Sequence, residues 1–140
     1  MDASSRKRWL RTVILVGVVY LVVGIAFSTF AGWSASNQMR VTWRLLAFLT
    51  SAVAFAIHIS YEHFRLGNST LITALHASMA VAVGAFGLAL SANIHGQTLA
   101  SSHQRLLVFA LVAWPALTAV PAFIVALVAA AALGLIRRST

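Results

Sequence analysis

The stretch TVILVGVVYLVVGIAFSTFAGW, residues 12–33, decides the fold. It runs for 22 residues without a charged side chain, and about 20 apolar residues in a helix cross a bilayer's hydrocarbon core of about 30 Å. Three further apolar stretches follow at residues 42–61, 71–92 and 106–136. Stretches of this kind lack the roughly 10-residue alternation of barrel strands. The sequence therefore predicts an all-α integral membrane bundle of four transmembrane helices, a single domain over residues 1–140 with short loops and no soluble domain.

The composition of the rest of the chain agrees with this class. Hydrophobic residues make up 61% of the chain and charged residues 9%, against about 25% charged in soluble domains. The absence of cysteine excludes a disulfide scaffold. The net charge is +8, but its cations lie at the ends of the apolar stretches and do not form one patch. The expected partner is therefore the lipid bilayer, and nucleic acid is not expected.

The division of positive charge predicts an orientation. Residues 1–11 form a basic N-terminal segment with four cations. With that segment in the cytoplasm, seven cations lie on the cytoplasmic side and three, Arg40, Arg44 and Arg105, on the other. Because Lys and Arg accumulate in cytoplasmic segments, we expect both termini in the cytoplasm and an inner (plasma) membrane of bacterial type. The first helix is expected to be retained, since its apolar part exceeds the usual length of about 7–15 residues in a signal peptide.

Small residues recur every seven positions in the first and third stretches. They are Gly17, Gly24 and Ala31 in the first stretch and Ala77, Gly84 and Ser91 in the third. Small side chains let membrane helices approach closely, and a seven-residue period favours left-handed packing near +20°. We call these six residues the small-residue seam, and we expect it to join the first and third helices, within one protomer or between protomers.

The fourth stretch is long for a membrane span. Its 31 residues contain Pro115 and Pro121, the only two prolines of the chain. Proline removes a backbone hydrogen bond and disturbs the preceding turn, so a kinked and tilted helix is predicted. The alternative is a broken helix that lines a transport site.

The hairpin of the second and third helices would bring several ionisable side chains together. His58 and Glu62 are four residues apart and therefore share a helix face. His76 lies on the third helix, and the midpoint between 58 and 76 is Gly67, in the predicted turn. We expect Gly67 to cap the end of one helix, with Asn68 or Ser69 as the N-cap of the next. His58, Glu62, His76 and the nearby Arg65 are candidates for a polar, ion or cofactor site.

This group of side chains permits three interpretations. The histidines and Glu62 can hydrogen-bond to one another and hold the hairpin together. They can form a relay for protons or cations, since ionisable groups within membranes often mark ion pathways. They can also bind a cofactor: haem b between His58 and His76 with Arg65 on a propionate, or a metal held by two imidazoles and a carboxylate. His95 and His103, in the last connection, are expected to be solvated, so no metal site is predicted in that loop.

No soluble-enzyme motif is present, such as a P-loop, G-x-S-x-G or H-E-x-x-H, and no catalytic residue is predicted. The first functional prediction is a non-enzymatic accessory or scaffold subunit of a homo-oligomer or a larger membrane complex. The alternative is a small proton- or cation-coupled transporter or channel that uses His58, Glu62 and His76. A third possibility is a redox anchor that binds haem b. No cofactor is expected in the first two cases, and haem b would be the cofactor of the third.

Overall fold

A computed structural model describes residues 3–95 and 101–139, and the side chains of residues 6–94 and 105–136. The described chain is helical apart from short connections, which confirms the predicted all-α class. Four of its helices are long and apolar enough to cross a membrane. The elements are α1 (Ala3–Trp33), α2 (Asn37–Ser60), a π-helical turn (Tyr61–Arg65), α3 (Thr70–His95) and α4 (Ser101–Ser139). The side chains of His95 and His103 lie outside the described residues.

Each helix extends beyond the apolar stretch that predicted it. The basic segment 1–11 does not form an element of its own where it is described, because α1 already begins at Ala3. Helix α2 begins five residues before the predicted 42, where the Ser36 Oγ accepts a hydrogen bond from the Met39 N–H at 3.2 Å. Hydropathy marks only the apolar part of a helix. Backbone hydrogen bonds and capping side chains continue it into polar sequence.

Helix α3 is the centre of the bundle and packs against both α1 and α4. On one side Ala74 and Ala77 are fully buried against Ala126 and Ala130 of α4. On the other side Ala80 is fully buried beside Val13 and Tyr20 of α1. Alanine at these contacts lets the helix backbones approach closely, which strengthens van der Waals packing.

Glycines make the contact between α1 and α3 tighter still. A Cβ built on Gly84 would lie 2.6 Å from the Tyr20 Cβ and 3.0 Å from the Gly17 carbonyl oxygen. A Cβ built on Gly17 would lie 2.6 Å from a methyl carbon of Val83, and one on Gly24 would lie 2.7 Å from a methyl carbon of Leu88. These three members of the small-residue seam therefore lie where α1 meets α3 within one chain.

The other members of the small-residue seam are placed differently. Ala77 lies in the cluster with the alanines of α4, because α3 is a central helix and needs small residues on two faces. Ala31 is buried near the end of α1, and Ser91 is partly buried on α3.

Helix α4 is 39 residues long and continues through both of its prolines. At 1.5 Å per residue it is about 58 Å long. The described helix therefore does not contain the break that the alternative prediction placed at Pro115 and Pro121. Asn93 of α3 ties the start of α4 to the bundle, since its Nδ2 donates to the Leu107 carbonyl at 2.6 Å.

Candidate functional site

The second helix ends in a π-helical turn that places two consecutive ionisable side chains inside the bundle. The Leu66 N–H donates to the Tyr61 carbonyl at 3.3 Å, and the Asn68 N–H donates to the Glu62 carbonyl at 3.2 Å. Gly67 reverses the chain with a φ of 62°, directly after Leu66, the C-cap residue, so the helix ends one residue before the glycine that was predicted as its C-cap. Glu62 and the adjacent His63 are both buried in this turn. Single π-helical turns are frequent at functional sites.

The Glu62 carboxylate is the centre of the site and has no solvent exposure (0%). Its Oε2 accepts a hydrogen bond from the Asn68 Nδ2 and lies 2.8 Å from the Nδ1 of His76. When Glu62 is ionised, the His76 Nδ1 carries the hydrogen and donates it, because a carboxylate can only accept. The His58 Nε2 approaches the other oxygen, Oε1, at 3.6 Å. We call these four residues, Glu62, His58, His76 and Asn68, the Glu62 cluster.

Several buried polar atoms, three of them in the Glu62 cluster, have no hydrogen-bond partner. Within the described structure, the Glu62 Oε1 and both ring nitrogens of His58 are buried without one. The same is true of both ring nitrogens of His63 and of the hydroxyl of Thr73, which lies three residues before His76 on α3. Buried polar groups are nearly always hydrogen-bonded, so each exception calls for an explanation. Three of these atoms belong to Glu62 and His58, which face each other in the cluster.

The other two helices, α1 and α4, also approach this region. The Trp9 ring of α1 lies 5.2 Å from the His76 ring, centroid to centroid. On α4, a Cβ built on Gly134 would lie 3.9 Å from the His63 Cε1. All four helices therefore meet at this end of the bundle.

The structure brings together three of the four candidates from the sequence. His58, Glu62 and His76 converge, whereas the Arg65 side chain is exposed. Among the described residues, the ion pairs of Glu62 are with the two histidines. Arg65 therefore lies outside the cluster, because the π-helical turn directs positions 62 and 63 inward and position 65 outward.

Sequence reasoning missed the contact of Asn68 with Glu62, since either Asn68 or Ser69 was expected to be the N-cap of the next helix. The Ser69 Oγ accepts the Ile72 N–H at 3.4 Å, while the Asn68 side chain faces back to Glu62. The position of Asn68 directly after the reversing Gly67 was the available signal. The burial of His63 and the ring contact of Trp9 had no comparable signal in the sequence.

The geometry of the cluster does not fit the haem b of the third interpretation. Bis-histidine ligation places an iron between two imidazoles, but the Glu62 carboxylate stands between His58 and His76 and contacts a ring nitrogen of the latter. Arg65, the expected partner of a propionate, is turned away from the cluster. In the described part of the chain, no group of three or more His, Asp or Glu side chains is arranged to hold a metal ion.

Comparisons of the chain with models of known protein families, with curated proteins and with solved structures give no match.

Proposed function

We propose that this chain is a small integral membrane protein that uses the Glu62 cluster to conduct protons or to couple their movement to transport. One observation carries the proposal: a fully buried carboxylate has one oxygen hydrogen-bonded and the other without a hydrogen bond, 3.6 Å from an imidazole that also makes none. A purely structural polar contact is expected to satisfy all its members. Ionisable groups within membrane spans mark ion pathways and proton relays.

The chemistry of the cluster favours a proton over a metal cation. Alkaline-earth cations prefer several oxygen ligands, and the chain has only two acidic residues, Asp2 and Glu62. Imidazole exchanges protons near neutral pH and serves as a proton shuttle. A site with one carboxylate and two imidazoles therefore suits proton binding better than the binding of a hard cation.

The two oxygens of Glu62 have different roles in the proposed transfer. Oε2 is held by His76 and Asn68, which fixes the carboxylate in place. Oε1 receives a proton from the His58 Nε2, now 3.6 Å away. A shift of about 0.7 Å brings this pair to the usual hydrogen-bond distance of about 2.9 Å. The step begins with the cationic imidazole of His58 and the ionised carboxylate of Glu62. The proton leaves Nε2 and binds Oε1, so the imidazole becomes neutral and Glu62 becomes a neutral acid.

The cluster lies near one end of the bundle, level with Trp9 of the basic first turns of α1. With the predicted orientation, this is the cytoplasmic end. The cluster would therefore exchange protons with the cytoplasmic side.

Infrared spectroscopy can test proton binding directly, because so few carboxyl groups contribute. An Asp2→Asn background leaves Glu62 as the only side-chain carboxyl. We expect a protonated-carboxyl band that appears as the pH is lowered and vanishes in Glu62→Gln. Retention of the whole band in a folded Glu62→Gln protein would contradict proton binding at this residue.

Transport needs a separate measurement in proteoliposomes that contain a pH-sensitive dye. A potassium diffusion potential should drive proton uptake by the wild type, and Glu62→Gln should abolish it. Arg105→Gln is the control, since Arg105 is an exposed residue of α4 outside the cluster. Equal flux in all three, or no flux above that of empty liposomes, would contradict conduction.

A second candidate is a non-enzymatic accessory or scaffold subunit of a homo-oligomer or larger membrane complex. It is favoured by the uncovered surface of the outer helices: 17% of the most apolar 18-residue stretch of α2 and 11% of that of α4 is buried. In this case the Glu62 cluster would serve to lock the hairpin. Native pull-down with mass spectrometry should then recover a stable partner chain or a second copy, and Glu62→Gln should weaken that assembly without any effect on flux.

A further inference from the structure

A cleft lies between α1 and α2, far from the Glu62 cluster. Its volume is about 460 Å³, within the range of about 300–1,000 Å³ that is usual for ligand pockets. Small residues such as Gly32 and Ala47 line it, together with Phe27 and two cations, Arg40 and Arg44. Glu62 follows Arg44 by 18 positions, which is about 27 Å along a helix.

The two arginines give the cleft a positive charge with no nearby acid to neutralise it. Arg40 and Arg44 are four residues apart and share a face of α2. The Arg40 Nε donates to the Ser34 carbonyl at 3.1 Å, which holds this side chain at the end of α1. The only acidic residues of the chain are Glu62 and Asp2, the latter in front of α1. The charge is therefore available to a bound anion.

Aromatic rings next to the cleft mark the level of a membrane interface. The Trp43 ring lies 5.0 Å from that of Phe30 and 6.0 Å from that of Phe27, and Trp33 packs edge-on against Phe30 at 6.2 Å. Tryptophan accumulates where the hydrocarbon core meets the headgroups. The arginines thus lie at headgroup level, while the small residues and Phe27 provide an apolar floor.

We infer that this cleft binds an anionic phospholipid from the surrounding bilayer, with the phosphate between Arg40 and Arg44 and one acyl chain along the α1–α2 floor. Guanidinium groups bind phosphate through paired hydrogen bonds. A zwitterionic lipid offers its phosphate together with a compensating cation, so an anionic lipid is preferred. This site goes beyond the proposed function and shares with it only the location in a membrane.

Native mass spectrometry of the protein in neutral detergent, titrated with phosphatidylglycerol, tests the charge requirement. We expect one saturable lipid site. An arginine near an anionic surface contributes about fivefold in affinity, so Arg40→Gln with Arg44→Gln should weaken binding about thirtyfold. Arg44→Gln alone should weaken binding about fivefold, whereas Arg105→Gln, which makes the same single charge change outside the cleft, should alter affinity less than twofold. Equal losses in both proteins, or equally tight binding of phosphatidylcholine, would overturn the proposal.

Gly32→Leu tests the acyl-chain part of the site without a change in charge. A Cβ on Gly32 would meet no atom within 4 Å, so the variant should fold like the wild type and fill the cleft. We expect its lipid affinity to fall at least tenfold, and unchanged affinity in the folded variant would overturn the proposal. Inorganic phosphate at millimolar concentration should not displace the lipid. Displacement that depends on Arg40 and Arg44 would instead assign the cleft to a free anion.

Discussion

Gly84→Ala should weaken the contact between α1 and α3. The added Cβ would lie 2.6 Å from the Tyr20 Cβ and 3.0 Å from the Gly17 carbonyl oxygen. Carbon atoms in good contact are about 3.5–4.0 Å apart, so the deficit against Tyr20 is about 1 Å. Neither atom can move aside without the backbone of α1. Overpacking of this kind costs about 1–3 kcal/mol, and the better helix propensity of alanine offsets about 0.5–1 kcal/mol. The expected net loss in the free energy of unfolding is about 1–2 kcal/mol.

Gly32→Ala is the matched control for this substitution. It adds the same methyl group to the same type of residue, but its Cβ would meet nothing within 4 Å. Only the propensity effect remains, so we expect no loss of stability. Titration of the purified proteins with SDS, followed by circular dichroism, measures both. A Gly84→Ala protein as stable as Gly32→Ala would refute the close packing at this position.

Three further predictions concern the hairpin, the orientation and the contact with α4. His76→Ala should destabilise the bundle more than His58→Ala, because only His76 is within hydrogen-bond distance of the carboxylate. The double variant should lose less than the sum, and additive losses would mean separate environments. A cysteine placed at Ala35 should react with a membrane-impermeant thiol reagent in intact cells, while one placed at Leu66 should not. The native chain has no cysteine to add background. The reverse labelling pattern would invert the predicted orientation. Asn93→Ala should cost about 1 kcal/mol by removing the hydrogen bond to α4, and unchanged SDS unfolding would show that this bond contributes nothing.

The helical class and the positions of the four long apolar helices could be predicted because they depend on a property that is local in sequence. Residues 12–33 are apolar throughout, and no other backbone arrangement satisfies such a stretch in lipid. The ends of the helices depend on capping instead, which hydropathy does not record. Helix α2 begins at Asn37, five residues before the apolar pattern, because the hydroxyl of Ser36 caps it there.

The convergence of His58, Glu62 and His76 was also predictable, from a spacing of four residues and a turn at Gly67. The remaining contacts depend on the path of the backbone after Ser60. A π-helical turn changes which positions face inward, so it buries His63 and exposes Arg65. Similarly, the seven-residue period identified small residues on α3 but not which neighbour each one contacts. Ala77 and Gly84 share that period and face different helices.

The central position of α3 has a consequence for biosynthesis. Helices α1 and α2 leave the ribosome first, yet the glycine-lined face of α1 is covered by α3. Until Thr70–His95 has been synthesised, the sides of Gly17 and Gly24 that face α3 are uncovered, and Glu62 lacks His76. Assembly of this protein therefore waits for its third helix, and chains that stop in the Gly67 turn would leave an uncovered glycine face on α1 and a carboxylate without its hydrogen bonds to Asn68 and His76.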